Sequence, residues 1–476
     1  MEEWTQDSLR ARFCKALSEM YKTEVPLYGD LMDIVWEADA AAVRASQEVE
    51  GGVAIDPDDV LPARHRVERH GAIRLGTAHE LATIRRMFAV MGMFPVGYYD
   101  LTLAGFPMHA TAFRPKDREA LAAHPFRVFT TVLRMELLTE KTRALAQQAL
   151  QQRNIFTDRL IELIDRAETA GTLTPQEYAE FINEGLETFR WHSKATVSLE
   201  EYQMLKAEHP LIADIVSFPN SHINHLTPRT IDIDLVQQLM LDRNMPAKER
   251  IEGPPRRKCP ILLRQTSFKA LEETVYFRDG SSDIFIKGSH TARFGEVEQR
   301  GYALTRKGRH LYDQILSKVN SKALQHQGKA SLTQGPAEVY ETILTEQFHD
   351  FPDELAELRQ EQLAYFCYRL TDKAESWAMS PSKTALVSSL LRQGVLEYEP
   401  ITYEDFLPLS AGGIFNSNLG NTSTSKRLIM DADPDLDGFQ RLLGTAVTDE
   451  FWLYETMQTE SLETCKKKLG LDELIL

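Results

Sequence analysis

Apolar residues near the start of the chain recur three and four positions apart, which is the spacing of one face of an α-helix. This pattern covers 9–25 and 28–50, and the Gly/Pro/Asp-containing segment 51–62 then interrupts it. Helical spacing returns between about 136 and 210, where Thr174 followed by proline has the form of a helix start. The pattern predicts a helical N-terminal segment at 1–60 and a helical insertion at 136–210.

The stretches that follow each helical segment share one spacing, His-x-x-x-Arg. It occurs as His70 to Arg74 and again as His225 to Arg229. A helix-like stretch follows each copy, at 77–92 and at 233–245. Runs rich in aromatic and β-branched residues come next: PVGYYDLTL, FPMHATAFR and FRVFTTVLR after the first copy, and ILLRQTSFKAL, TVYFRD and TARFGEVEQRG after the second.

Both copies therefore have the predicted order β-α-β-β-β. We predict two such modules, at 61–135 and 211–305, whose sheets face each other around one shared cleft. The remainder, 306–476, is predicted to be mostly helical, with one helix covering 352–370. Its segment 401–423 has several glycines and no helical period, so we predict a loop there. The expected fold class is α+β.

Charge and composition exclude several classes of protein. The chain has 54 basic and 70 acidic side chains and a net charge of −16, which would repel nucleic acids. No segment approaches the roughly 20 apolar residues of a membrane span, and the N-terminus lacks the features of a secretory signal. The four cysteines show no CxxC pairing, which favours reduced thiols. We expect a cytoplasmic protein that binds neither nucleic acid nor membrane.

The motifs of nucleotide-binding loops, zinc proteases and serine hydrolases are missing from the sequence. A site with two histidines and one carboxylate remains possible, and such a triad leaves metal positions open for a 2-oxo acid and dioxygen. His70 and His225 are equivalent in the repeat and are the natural histidine pair, although His222 competes with His225. Glu296 and Glu298 would share one strand face, and the spacing does not decide between them as the carboxylate.

Arg74 lies four residues beyond His70 and on an extended strand would point to the same face, roughly 13 Å along the strand. A guanidinium can bind a carboxylate through two parallel N–H groups, so Arg74 is a candidate for holding one end of a diacid. Taken one by one, these residues have ordinary structural explanations. The combination of the repeated spacing with a later glutamate strand favours the metal site.

Four segments, 68–77, 224–234, 291–301 and 401–419, resemble the 2-oxoadipate dioxygenase/decarboxylase family. The run at 296–300 is also similar to the metal-carboxylate strand of 4-hydroxyphenylpyruvate dioxygenase. The resemblance implies a vicinal-oxygen-chelate-like fold. It also implies an iron(II) enzyme of lysine degradation that converts 2-oxoadipate and O2 into 2-hydroxyglutarate and CO2.

Matched motif by motif, the resemblance implies that His70, His225 and Glu296 hold the metal. It further implies that Arg74 binds the far carboxylate of the substrate, and that the backbone near Leu409 and Ser410 closes over it. Two rivals stay open: a non-oxidative isomerase or lyase of the same fold, and a binding or regulatory protein with a metal site that has lost activity. The oligomeric state and the range of oxo acids stay open as well.

Overall fold

The computed structural model describes residues 4–50, 61, 65, 67–102, 105–279, 284–327, 336–377, 383–407 and 433–476. These residues form two compact units. The first comprises 1–252, 265–299 and 406–447, and the second comprises 253–264, 300–405 and 448–476. The prediction of a mixed α+β fold is confirmed. The finer division into five segments stays a prediction.

Helical periodicity at the N-terminus produces two consecutive helices, α1 (Gln6–Glu24) and α2 (Pro26–Glu50). The side chain of Thr5 accepts a hydrogen bond from the backbone N–H of Ser8, and the Ser8 side chain caps Thr5 in return, which satisfies N–H groups that would otherwise lack partners. The apolar face of α1 is buried in the main core of the first unit. Burial of this face, more than helix propensity, therefore stabilises α1.

A five-stranded sheet lies within the first unit in the order β2-β3-β4-β1-β6. Strand β1 runs parallel to β4 and antiparallel to β6, so that His70 lies opposite both Arg127 and Thr227. Strands β1, β3, β4 and β6 are buried at every residue. The strand bounds are β1 (Glu68–Leu75), β2 (Phe94–Asp100), β3 (Met108–Arg114), β4 (Arg127–Leu133) and β6 (His225–Pro228).

The later strands of the first unit belong to smaller sheets. Strand β7 pairs with β10, and β5, β8 and β9 form a three-stranded sheet. Strand β9 was not predicted, because most of its residues are polar or partly exposed and show no apolar alternation. These strands are β5 (Lys194–Ser198), β7 (Leu263–Ser267), β8 (Glu272–Arg278), β9 (Phe285–Thr291) and β10 (Glu296–Arg300).

Several helices of the first unit begin at side-chain caps. The predicted start at Thr174 is present with a full capping box to Glu177. The helices are α3 (Ala78–Val90), α4 (Arg118–Ala123), α5 (Glu140–Gln151), α6 (Asp158–Ala170), α7 (Pro175–Glu187), α8 (Leu199–Glu208), α9 (Pro210–Ser217), α10 (Ile233–Asp242) and α16 (Leu436–Leu443).

The second unit contains two pairs of strands, β11 (Phe366–Leu370) with β13 (Leu396–Pro400) and β12 (Thr384–Leu386) with β14 (Glu473–Ile475). The helix predicted over 352–370 is wrong in its second half. Gln362 has a φ of 55°, which ends the helix, and the aromatic-rich run after it forms β11. The helices are α11 (Arg306–Gln327), α12 (Pro336–Gln347), α13 (Leu355–Gln360), α14 (Ala374–Trp377), α15 (Val387–Arg392) and α17 (Glu450–Lys468).

Two further predictions concern membrane-spanning helices and the loop at 401–423. Within the described part of the chain, no helix has both the length and the apolar character needed to cross a membrane. The predicted loop at 401–423 is described only as far as residue 407, so most of it lies outside the described residues.

Candidate metal centre

His70 lies on β1 between two carboxylates of β10. Its Nε2 atom is 3.1 Å from Oε1 of Glu296, and its Nδ1 atom is 2.9 Å from Oε2 of Glu298. All three side chains are buried. Alternation along β10 brings both glutamates to one face, as predicted, but they meet opposite edges of the same imidazole.

His225 completes a group with His70 and Glu296. One potential ligand atom from each residue lies within 4.8 Å of the other two. The topology explains this meeting, since β6 pairs with β1, and a bridge between Arg229 and Glu298 connects the end of β6 to β10. Strand pairing therefore fixes the donor side chains, and rigid elements hold a site more accurately than loops do.

Two residues that the sequence did not single out hold the carboxylate of Glu296. Gln265 on β7 donates from Nε2 to Oε1 at 2.7 Å, and the hydroxyl of Thr227 donates to the same oxygen at 3.2 Å. Thr227 lies two residues after His225, so strand alternation could have identified it. Gln265 had no local signal, because its position depends on the pairing of β7 with β10.

Aromatic rings enclose the histidines. The ring of Phe406 meets His70 edge-on at 4.9 Å between centroids, and Phe294 stacks on His225 at 4.6 Å. The two histidine rings themselves lie 5.5 Å apart. An apolar surround of this kind limits access of water and lowers the local dielectric constant, which strengthens the interactions between charges inside it.

The two histidines differ in their electrostatic surroundings. Burial, together with the positive charges of His70, Arg74 and Lys248, holds the pKa of His225 well below its usual value, so its imidazole is neutral. Burial alone would lower the pKa of His70 as well, but hydrogen bonds to Glu296 and Glu298 outweigh burial and raise the pKa. In the absence of a metal, the two carboxylates therefore favour the protonated form of His70.

The donor set fits a divalent transition metal. Among the described residues, Oε2 of Glu296 and Nδ1 of His225 are buried without a hydrogen-bond partner, which is costly for polar atoms unless another group binds nearby. Two imidazoles and one carboxylate form the triad used by non-haem iron enzymes. These residues can hold a metal ion, whose identity the donor atoms alone do not fix.

Arg74 is buried near the end of β1 and donates from Nη1 to Oδ2 of Asp214 at 2.5 Å. His222, the competing histidine of the sequence analysis, does not join His70. It lies in a second buried group with Asp214 and His290. Leu409 and Ser410 lie outside the described residues.

Comparison with known proteins now places the chain. The family model of the 2-oxoadipate dioxygenase/decarboxylase family matches residues 13–418. The chain belongs to this family. A 2-oxoadipate dioxygenase/decarboxylase of Escherichia coli K12 is 48% identical over 468 residues, covering 98% of this chain and 99% of the relative. One of Pseudomonas putida is 47% identical, with 98% of each chain covered.

Two solved structures of high similarity agree with the fold. The chain is similar to the hydroxyglutarate synthase of Pseudomonas putida in complex with 2-oxoadipate, with a TM-score of 0.82 and 45% identity. That match covers 98% of this chain and 99% of the other. A second crystal structure of the hydroxyglutarate synthase from Pseudomonas putida matches with a TM-score of 0.81 and 44% identity.

Proposed function

We propose that this chain is an iron(II)-dependent dioxygenase and decarboxylase that converts 2-oxoadipate and O2 into 2-hydroxyglutarate and CO2, a step in lysine degradation. The main support is the meeting of His70, His225 and Glu296, whose potential ligand atoms lie within 4.8 Å of one another. Membership of the family and the similarity to a synthase solved with 2-oxoadipate support the choice of substrate.

In this proposal His70, His225 and Glu296 hold the iron, and Glu298 is not a ligand. Contact of Glu298 with Nδ1 of His70 supports this division, because that contact leaves Nε2 to face Glu296 and the metal. A carboxylate on the far nitrogen of a ligating histidine fixes its tautomer and ring orientation. When bound, iron(II) supplies open coordination positions for a chelating 2-oxo acid and for dioxygen.

Arg74 would bind the far carboxylate of the diacid and thereby fix which carbon lies nearest the metal centre. The backbone near Leu409 and Ser410 would close over the substrate, as the family resemblance implies. Phe406 and Phe294, which contact the two histidines, would exclude water from the reaction. These residues orient and enclose the substrate and need not exchange protons with it.

The overall reaction balances with one molecule of O2. The carboxylate next to the oxo group leaves as CO2, and one oxygen atom completes a new carboxylate on the former oxo carbon. The second oxygen atom becomes the hydroxyl on the neighbouring carbon. Dioxygen is therefore the only oxidant required, and Arg74 would hold the unchanged end of the diacid throughout.

We also propose that the fold is a vicinal-oxygen-chelate-like pair of β-α-β-β-β modules, the second of which carries β9 as an additional strand. The antiparallel pairing of β1 with β6, the first strand of each proposed module, supports this arrangement, as does the bridge from β6 to β10. The cytoplasm is the proposed location, on the basis of the sequence composition and the four buried free cysteines.

Oxygen uptake tests the function directly. Protein loaded with iron(II) without oxygen should consume O2 on addition of 2-oxoadipate and release CO2 and 2-hydroxyglutarate in equal amounts. His70→Ala should abolish all three signals, whereas His79→Ala, which alters an exposed histidine just beyond β1, should leave them unchanged. Tight iron binding without oxygen uptake would instead indicate a non-oxidative isomerase or lyase.

A further inference from the structure

A second buried group of two histidines and one carboxylate lies around Asp214 on α9. Nε2 of His290 is 2.8 Å from Oδ1 of Asp214, and Nε2 of His222 is 3.1 Å from the same oxygen. The other carboxylate oxygen, Oδ2, accepts hydrogen bonds from Arg74 at 2.5 Å and from Nδ2 of Asn224 at 3.4 Å. All of these side chains are buried.

In this group the carboxylate of Asp214 is the acceptor and both histidines are donors. Asp214 is ionised, because the hydrogen bonds from both histidines and the positive charge of Arg74 overcome burial and hold its pKa well below the usual value. Burial lowers the pKa of His222 despite the attraction of Asp214, so His222 is a neutral N–H donor. The hydroxyl of Tyr202 lies 2.9 Å from Nδ1 of His290, which leaves Nε2 of that ring to donate to Asp214.

Composition alone would suggest a second metal site, but the charges argue against it. A cation between Asp214 and the histidines would lie close to the guanidinium of Arg74, and the repulsion between two positive charges is strong in a buried environment. Both imidazoles already direct Nε2 to one oxygen at hydrogen-bond distance. Both carboxylate oxygens of Asp214 therefore already accept hydrogen bonds.

Arg74 has a further contact and a position in the fold that bear on its role. The backbone carbonyl of Arg74 accepts a hydrogen bond from the Ser221 hydroxyl at 2.9 Å, so the arginine is held at both its main chain and its side chain. Arg74 also shares β1 with His70, four residues away, so strand alternation directs both side chains to the same face of the strand. Asp214 thus anchors an arginine on the strand that also carries a residue proposed to hold iron.

We propose that Asp214, oriented by His222 and His290, is a positioning residue that fixes Arg74 for the far carboxylate of the substrate. This inference rests on the proposed function. It attributes the preference of the candidate site for diacids to the hydrogen bonds among Asp214, His222 and His290 that hold Arg74 in place. A buried arginine has many rotamers, and an anchor on one side reduces the freedom lost when a carboxylate binds on another. Asp214 itself need not contact the substrate.

Asp214→Asn tests the positioning role with two substrates, 2-oxoadipate and the monocarboxylic analogue 2-oxohexanoate. A displacement of about 1 Å can cost about 100-fold in rate, so we expect a fall of up to about that size in kcat/KM for the diacid. The rate with 2-oxohexanoate and the bound metal should change little. The amount of 2-hydroxyglutarate formed per O2 consumed should also fall, because a misplaced diacid leaves the oxidation uncoupled.

Matched variants separate positioning from stability. Arg74→Ala should remove the diacid preference fully, which is the largest change expected in the ratio of kcat/KM for the two substrates. Glu80→Gln removes a comparable buried carboxylate, which pairs with Arg153 at 2.7 Å, and should lower stability without changing the ratio of the two substrates. His290→Gln keeps an N–H donor for Asp214 and should preserve more of the diacid preference than His290→Ala. If Asp214→Asn does not fold, His290→Ala replaces it in the comparison of the two substrates.

Three results have distinct meanings. Equal losses on both substrates in Asp214→Asn and His290→Ala would overturn the positioning role and leave a structural one. A second metal ion per chain in the wild-type protein, lost in His290→Ala, would overturn it in favour of a metal site. Failure of the proposed function would appear in the wild-type protein itself, as an absence of O2 uptake with 2-oxoadipate.

Discussion

The two buried groups found in the described part of the chain each contain two histidines and one carboxylate, and they differ in their neighbours. In the first group, Oε2 of Glu296 lacks a hydrogen-bond partner among the described residues. In the second group, four donors from Arg74, Asn224, His222 and His290 surround Asp214. Two histidines and a carboxylate therefore do not define a metal site by themselves. In the second group the guanidinium of Arg74 is the cation that the carboxylate binds, and we propose that Asp214 holds it in place.

The largest expected effect comes from removing the carboxylate of the first group. Glu296→Gln replaces a charged oxygen donor by a neutral amide while keeping the side-chain shape, so we expect loss of stoichiometric iron and of detectable turnover. Metal content after dialysis and O2 uptake are the measurements. Asp214→Asn is the matched change in the second group and should leave the metal content intact. Equal metal loss in both variants would break the distinction between the groups.

An intermediate effect is expected from Glu298→Gln, because Glu298 is proposed to orient His70 and not to bind the metal. Loss of such an orienting carboxylate typically costs about 10- to 100-fold in metal affinity or activity. Iron titration followed by O2 uptake at saturating iron would measure both. Glu460→Gln, at an exposed position on α17, is the control. A loss as complete as that of Glu296→Gln would show that Glu298 is itself a ligand.

The contrast between the groups also shows what the sequence could reveal. Repeated His-x-x-x-Arg spacing singled out His70 and His225, and strand alternation put Glu296 and Glu298 on one face, where both contact His70. Alternation did not distinguish the roles of the two glutamates, since those depend on which edge of the imidazole each one meets. The family resemblance, and not the spacing, supplied the expectation of iron and of 2-oxoadipate.

The second group escaped prediction because its parts come from separate elements. Asp214 is on α9 at the start of the predicted second module, and His290 is on β9, a strand without apolar alternation. Neither residue has a neighbour in the sequence that marks it for chemistry. Similarly, β11 was assigned to a helix because an unusual backbone conformation at Gln362 is not visible in the apolar pattern. Non-local pairing decided each of these cases.

The smallest expected effect is a change in how stability depends on pH. The pKa of His222 is lowered in the folded protein, mainly by burial, so between that pKa and the unfolded value of about 6.5 the unfolded chain binds a proton that the folded chain does not. The free energy of unfolding therefore falls as the pH drops below about 6.5, by at most about 1.4 kcal/mol per pH unit for this proton.

His222→Gln should remove that contribution, because glutamine does not titrate and can still donate to Asp214. Urea unfolding of iron-free protein at pH 7.5 and 5.5 measures the difference, with exposed His79→Gln as the control. An unchanged pH slope in His222→Gln would mean that His222 carries the same charge in the folded and unfolded chains. At pH 5.5 the second group would then contain a protonated His222 in addition to Arg74.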